Sequence, residues 1–268
     1  MLALLVLAMC SQPAGGTPEP RQPIADPAVR PVAATAAAIH PLEHAVRYAR
    51  QTAANADRLV GYRARMVKST AKGRTLETDT IDVKFRSQPF SVYMHFHGPN
   101  EGREVLFIEG WNGNKLLAHE GSGALSLVGS ISLDPESKRA MQSGGRSIRQ
   151  AGLANLGRGV AAEWAEAIRN GIRPDEIKMQ RYPEAKLGDQ AVEAVEVTLA
   201  RPATRSRVQT TRFYVDAERK VPVAFQSFGF AAAGQTPPLL EDVRYLNVDF
   251  DRVPTPQEFD PNNPAYDF

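Results

Sequence analysis

His95 and His97 stand two residues apart in a stretch that alternates side-chain character, Val92-Tyr93-Met94-His95-Phe96-His97. On a strand, residues two apart share a face. The two imidazoles could therefore hold one metal ion, with His119 or Glu104 completing the site. Spacing fixes no third ligand, so the expectation is a polar strand face without a metal, Met94 and Phe96 turning inward. Other groupings fail on spacing. His40, Glu43 and His44 lack the glutamate that must directly follow the first histidine of a zinc-protease helix, and helix capping is their expected role. His119-Glu120-Gly121-Ser122-Gly123 places a serine between glycines. A nucleophile elbow needs Gly-x-Ser-x-Gly at a strand-to-helix turn, and here strands are expected on both sides. Gly157-x-Gly159 falls inside an expected helix, so no phosphate-cradling loop is present. The chain reads as a non-enzyme with no catalytic residue and no cofactor.

Cys10 is the one cysteine, which excludes an intramolecular disulfide and a cysteine-based zinc cluster. It closes an apolar run from Leu2 to Met9. That length fits a signal-peptide core and is too short to span a bilayer. Leu7-Ala8-Met9-Cys10 has the form of a bacterial lipobox, with Met9 where a small residue is usual. Residues 1–10 are expected to be a signal peptide or lipoprotein signal, with Cys10 as the lipidation site and the membrane reached through that anchor. Export to the periplasm, or anchoring at the outer membrane within the envelope, follows. Residues 11–40 hold six prolines, many alanines and no aromatic residue. Such a segment buries too little apolar surface to order itself and reads as an extended linker.

The elements that would position these residues follow from periodicity. Pro41 suits a first helical position, and Leu42, Ala45, Val46, Ala49, Ala53, Ala56 and Leu59 recur at helical spacing before Gly61. Period two then takes over. Tyr62, Ala64 and Met66 alternate with Arg63 and Arg65. Ile81, Val83 and Phe85 alternate with Asp82, Lys84 and Arg86. Val105 to Ile108 is continuously apolar, as in a strand covered on both faces. Asn112-Gly113-Asn114 is a hairpin signal, and Leu125–Leu133 is a sixth strand. A helix carrying Leu153, Leu156, Val160, Trp164, Ala167 and Ile168 on one face ends at Asn170-Gly171. Strands resume near 176–183, 191–200, 206–215, 221–230 and 239–250, and residues 251–268 form an irregular tail. Without regular strand–helix alternation a parallel sheet is not expected. The fold class is α+β: a single large curved antiparallel sheet of about eleven strands, an open half-barrel, with helices on its concave face. One domain over 41–250 accommodates it. At 43% hydrophobic residues the chain can bury a sizeable core, and a net charge of +2 gives no electrostatic case for nucleic acid. Arg63, Arg65 and Lys68, and the cluster of Arg201, Arg205 and Arg207, read as solvated faces and turns. Contact with anionic lipid headgroups or cell-wall polymer is the functional alternative.

This order resembles the LolA/LolB-like lipoprotein-carrier superfamily, most of the likeness lying in Tyr62–Glu120. There, Phe85-Arg86-Ser87-Gln88-Pro89-Phe90 precedes a strand with Tyr93 and then Trp111-Asn112-Gly113-Asn114-Lys115. Gly102-Arg103-Glu104-Val105-Leu106-Phe107, Ala118-His119-Glu120-Gly121 and the ending from Asp260 to Phe268 resemble more closely an uncharacterised exported bacterial branch, a domain of unknown function. The superfamily resemblance implies that an acyl chain, lipid or lipoprotein binds in a cavity between sheet and helices. Tyr62, Met66, Val83, Phe85, Met94, Phe96 and Phe107 would line it, with Trp164 opposite. The expected function is thus a non-enzymatic hydrophobic-ligand binder of the cell envelope. The alternatives are an envelope structural or protein-interaction lipoprotein with a filled core, and an unrecognised envelope enzyme.

Overall fold

The computed structural model describes residues 39–73, 75–123, 129–141, 146–232 and 234–268. The apolar run, Cys10 and the proline-rich linker expectation lie outside them, as does the first part of the expected strand at 125–133. Helix α1 (Pro41–Ala56) starts at Pro41, with the Leu42 N–H donating to His40 Nδ1 at 3.3 Å. Six strands follow: β1 (Gly61–Lys72), β2 (Thr75–Arg86), β3 (Ser91–His97), β4 (Glu104–Ile108), β5 (Leu116–His119) and β6 (Ile131–Leu133). A short helix, α2 (Lys138–Met141), precedes α3 (Leu153–Arg169). Strands β7 (Ile177–Leu187), β8 (Gln190–Leu199), β9 (Val208–Asp216), β10 (Pro222–Gly229) and β11 (Leu239–Asp249) complete the chain's regular structure.

All eleven strands form one antiparallel sheet in the order β6-β5-β4-β3-β2-β1-β11-β10-β9-β8-β7. It is two meanders joined at their ends: the first runs outward from β1, the second returns inward to β11, and β1 pairs with β11 at the centre, Arg65 opposite Leu246. Strands β6 and β7 are left as edges, so the sheet is open rather than closed into a barrel. Edge strand β7 is mostly exposed and carries Pro183 at a register shift, a common way to discourage pairing with another chain.

Alternation decides which residues face the helices. Tyr62, Ala64 and Met66 on β1, Ile81, Val83 and Phe85 on β2, and Phe213 and Val215 on β9 enter one core with the buried faces of α1 and α3. The two helices approach closely because Gly157 lies where they meet: a Cβ there would fall 3.1 Å from both the Ala49 carbonyl and the Ala53 methyl group, and 2.8 Å from Pro222. α3 ends in a Schellman arrangement, Ile172 N–H donating to Ala167 O at 3.1 Å and Gly171 N–H to Ile168 O at 3.0 Å, with Gly171 at φ +71°. At the β4–β5 connection Asn112, Gly113 and Asn114 all have positive φ, a conformation that glycine and asparagine tolerate best.

The outer face is covered in part by the C-terminal tail. Tyr93 and Leu106 pack there with Phe259 and Tyr266, and Tyr266 stacks on Tyr93 with ring centroids 4.1 Å apart. This explains the continuous apolar run of β4: Val105 and Phe107 face the helices while Leu106 faces the tail. Polar contacts fix the tail. The carboxyl group of Glu104, 2% exposed, accepts from the Tyr93 hydroxyl at 2.6 Å and from the Asp267 N–H at 2.8 Å. Burial, then the hydrogen bond to Glu104, pushes the Tyr93 phenol well above its ordinary range, so it stays a donor. Arg63 holds Glu258 with two bonds of 2.6 Å.

Candidate functional site

A cavity of about 150 Å³ lies on the inner face, between the sheet and residues 138–141 and 146–152. Its floor is apolar: Met66 from β1, Ile81 from β2, Met94 and Phe96 from β3, Val105 from β4 and Leu116 from β5. Phe225, Val243 and Tyr245 add the centre of the sheet, and Ala140, Ile148 and Ala151 roof it with Leu156 of α3. The rim is charged. Lys68, Asp79, Arg103, Arg146 and Glu241 stand around it, Arg146 pairing with Glu241 at 2.6 Å and Asn100 donating to Asp79 at 2.6 Å. The Arg103 guanidinium lies 5.4 Å from the centre of the Phe96 ring, within cation–π reach. Burial pushes the Tyr245 phenol up to about 12, against a backbone hydrogen bond at Gly152 that lowers it. The one phenol in the wall is therefore neutral at physiological pH.

Of the eight residues expected to line a cavity, Met66, Met94 and Phe96 do so. The other five are buried and not among the residues around it. Tyr62, Phe107 and Trp164 are at most 1% exposed, and Val83 and Phe85 are buried beside them. Tyr62 stacks on Phe85 at 4.9 Å, and its hydroxyl accepts from the first N–H of α3 at 3.1 Å. Trp164 packs edge-on against Phe213 with centroids 6.0 Å apart. The cavity opens beneath residues 138–141 and 146–152 and not beside Trp164. Sequence reasoning passed over these residues because the apolar ones among them, Ala140, Ile148 and Ala151, follow no helical or strand period.

On the outer face, His95 and His97 are brought to Asp82 of β2. Asp82 is the register partner of His95, its carboxylate meets His97 Nε2 at 2.8 Å, and the ligand atoms of all three residues lie within 4.8 Å of one another. A third group thus comes from across the ladder. The signal was the tight turn between Arg86 and Ser91, which pair with each other and so set every later pair of the hairpin. Glu104 does sit opposite His95, with His119 next in the row, but its carboxyl group is committed to Tyr93 and the tail. In the basic clusters Arg65 is ion-paired with Asp82 at 2.9 Å, Arg63 with Glu258, Arg201 with Glu176 at 2.9 Å and Arg205 with Glu166 at 3.9 Å.

Residues 59–268 match the model of a protein family of unknown function, DUF1571. No curated protein matches the chain. Among solved structures the chain is similar to MucB at 12% identity, covering 81% of this chain and 62% of that one, with a TM-score of 0.43. The chain thus spans less than two thirds of the length of MucB. It is similar to LprF from Mycobacterium bovis at 11% identity, covering 80% and 97%, TM-score 0.42. It is also similar to a LolA superfamily protein from Nitrosomonas europaea at 12% identity, covering 77% and 94%, TM-score 0.34.

Proposed function

The chain belongs to the DUF1571 family, and we propose that this member is a non-enzymatic envelope protein that takes an acyl chain of a lipid or lipoprotein into the cavity over Met66, Met94 and Phe96. The observation that carries this reading is an apolar floor with charged side chains beside it, Lys68, Arg146 and Glu241 among them, the combination that suits an amphiphile with an apolar chain and a polar headgroup. Two methionines in the floor give a wall that adapts to its contents. At about 150 Å³ the space takes a benzene-sized group as it stands. A longer chain needs more room, which an outward shift of Ala140, Ile148 and Ala151 would give it. Each methylene leaving water contributes about 0.8 kcal/mol, so a ten-carbon chain gains enough to outweigh several kcal/mol of association cost.

The test is titration with a fluorescent fatty acid. Wild type is expected to bind, and Met94→Trp, which fills the floor, to weaken binding by about tenfold or more, a loss of about 1.4 kcal/mol. Its circular dichroism should match wild type. Absence of binding by wild type would favour the other reading, an envelope interaction protein with a filled core, which the tight packing around Trp164 and Phe213 supports.

Within the same reading, Cys10 carries lipid and tethers the domain to a membrane through residues 11–40. One acyl chain binds membranes only marginally, so a stable anchor needs more than one. A fatty-acid analogue fed to cells is expected to label wild type and to leave Cys10→Ser unlabelled. Equal labelling of the two would remove the anchor from the proposal.

A further inference from the structure

We infer that Asp82, His95 and His97 form a binding site for a divalent transition ion of the zinc class on the outer face of the sheet. The ground for expecting no metal was a missing third ligand, and the β2–β3 hairpin supplies it. Two imidazoles and one carboxylate are a ligand set that zinc, nickel, copper and cobalt all accept.

Three features of the geometry support the site. First, the ligands stand on two paired strands, where register holds them: Asp82 is opposite His95, and His97 is two residues on, on the same face. Rigid elements place ligands more accurately than loops do. Second, the two imidazole rings lie 4.7 Å apart at 87° to each other, so their nitrogens can converge without the rings clashing. The ligand atoms fall within 4.8 Å of one another. A tetrahedral ion with bonds of about 2.1 Å needs them about 3.4 Å apart, a closure that side-chain rotation provides. Third, the site is open to solvent, with the Asp82 side chain 44% and the His97 side chain 37% exposed. An ion can reach it, and at least one coordination position is left for water or an outside ligand.

Without metal, the Asp82 carboxylate is shared between His97 and Arg65, the latter at 2.9 and 3.1 Å. Arg65 is therefore a competitor. Its side chain is half exposed, so it can swing into water when the ion binds. Removing it should strengthen binding, which a merely structural ion-pair cluster would not do.

The experiment is titration of the purified full chain with zinc by calorimetry, and with cobalt followed by its visible absorption. Wild type is expected to bind one ion per chain at micromolar concentration. His97→Ala should weaken binding by about 100-fold, Asp82→Asn should weaken it, and Arg65→Gln should tighten it several-fold. Thermal unfolding without metal checks that His97→Ala is folded, and His95→Ala offers a second removal should it not be. No saturable binding by wild type at about 100 µM metal, or binding that His97→Ala and His95→Ala both leave unchanged, would overturn the site.

Discussion

Trp164→Ala is expected to lower the stability of the folded domain by about 3–5 kcal/mol. Trp164 is 1% exposed and sits at the centre of α3, against Phe213 of β9. Its neighbours Phe213, Val197 and Leu199 belong to one rigid sheet half and cannot close over the space an indole leaves. The loss therefore combines the transfer of a large apolar group with the cavity that remains. For a domain of this size the unfolding midpoint should fall by roughly 10 °C, measurable by calorimetry. Trp164→Phe should cost much less. It keeps most of the ring contact and removes the indole N–H, which meets no protein acceptor. Fatty-acid binding should survive in Trp164→Phe, because the tryptophan does not line the cavity. Equal destabilisation by the two substitutions would show that the N–H has a partner that matters.

Glu104→Ala should release the C-terminal tail and cost about 3–5 kcal/mol. The substitution leaves the Tyr93 hydroxyl and the Asp267 N–H without their acceptor in a buried setting, and each orphaned donor costs about 1–3 kcal/mol. Glu104→Gln keeps an acceptor and should lose about half as much. Tyr266→Ala removes the stacking partner of Tyr93, and the double variant should be less destabilised than the sum, since either change frees the same segment. The readout is trypsin cleavage at Arg252, slow in wild type and fast in the variants. The same readout has a pH dependence. Arg63, together with the Thr255 N–H, holds the Glu258 carboxyl group down at about 2, against partial burial that raises it. A folded-state pKa below the unfolded one contributes stability that is complete above about 4.5 and lost as pH falls toward 2. Tail release should grow across that interval in wild type and depend less on pH in Glu258→Gln.

The eleven strands and two long helices were readable because their side-chain periods are regular and their turns carry glycine, asparagine or proline at the necessary positions. Sheet order was less readable. Nothing local in Arg63 or Asp249 says that they face each other across the centre of the sheet. The tail was read as irregular; it holds a short 3-10 helix over Pro256–Phe259, and Phe259 and Tyr266 follow no period that would reveal their seat on Tyr93 and Leu106. The two-sided run in β4 was the available hint. For the cavity, parity correctly separated inward Met94 and Phe96 from outward His95 and His97. Parity does not distinguish an inward residue against a close-packed helix, such as Phe107, from one beneath a looser roof, such as Met66. At the histidines, reading along one strand found two ligands, while the third lay one strand away.

The pairing of β1 with β11 sets the order in which this chain can finish folding. Each meander is built from neighbours in sequence and closes short loops, whereas the seam joins the first strand to the last and must wait for nearly the whole domain. In a chain that emerges from its N-terminus, β1 has its free side unpaired until Leu239–Asp249 follows. Once β7 to β10 are in place, β10 offers a second open side. Until β11 follows, both β1 and β10 present the unpaired edge that it is to fill. The last strand of the sheet to emerge is thus the one that closes both exposed edges at once.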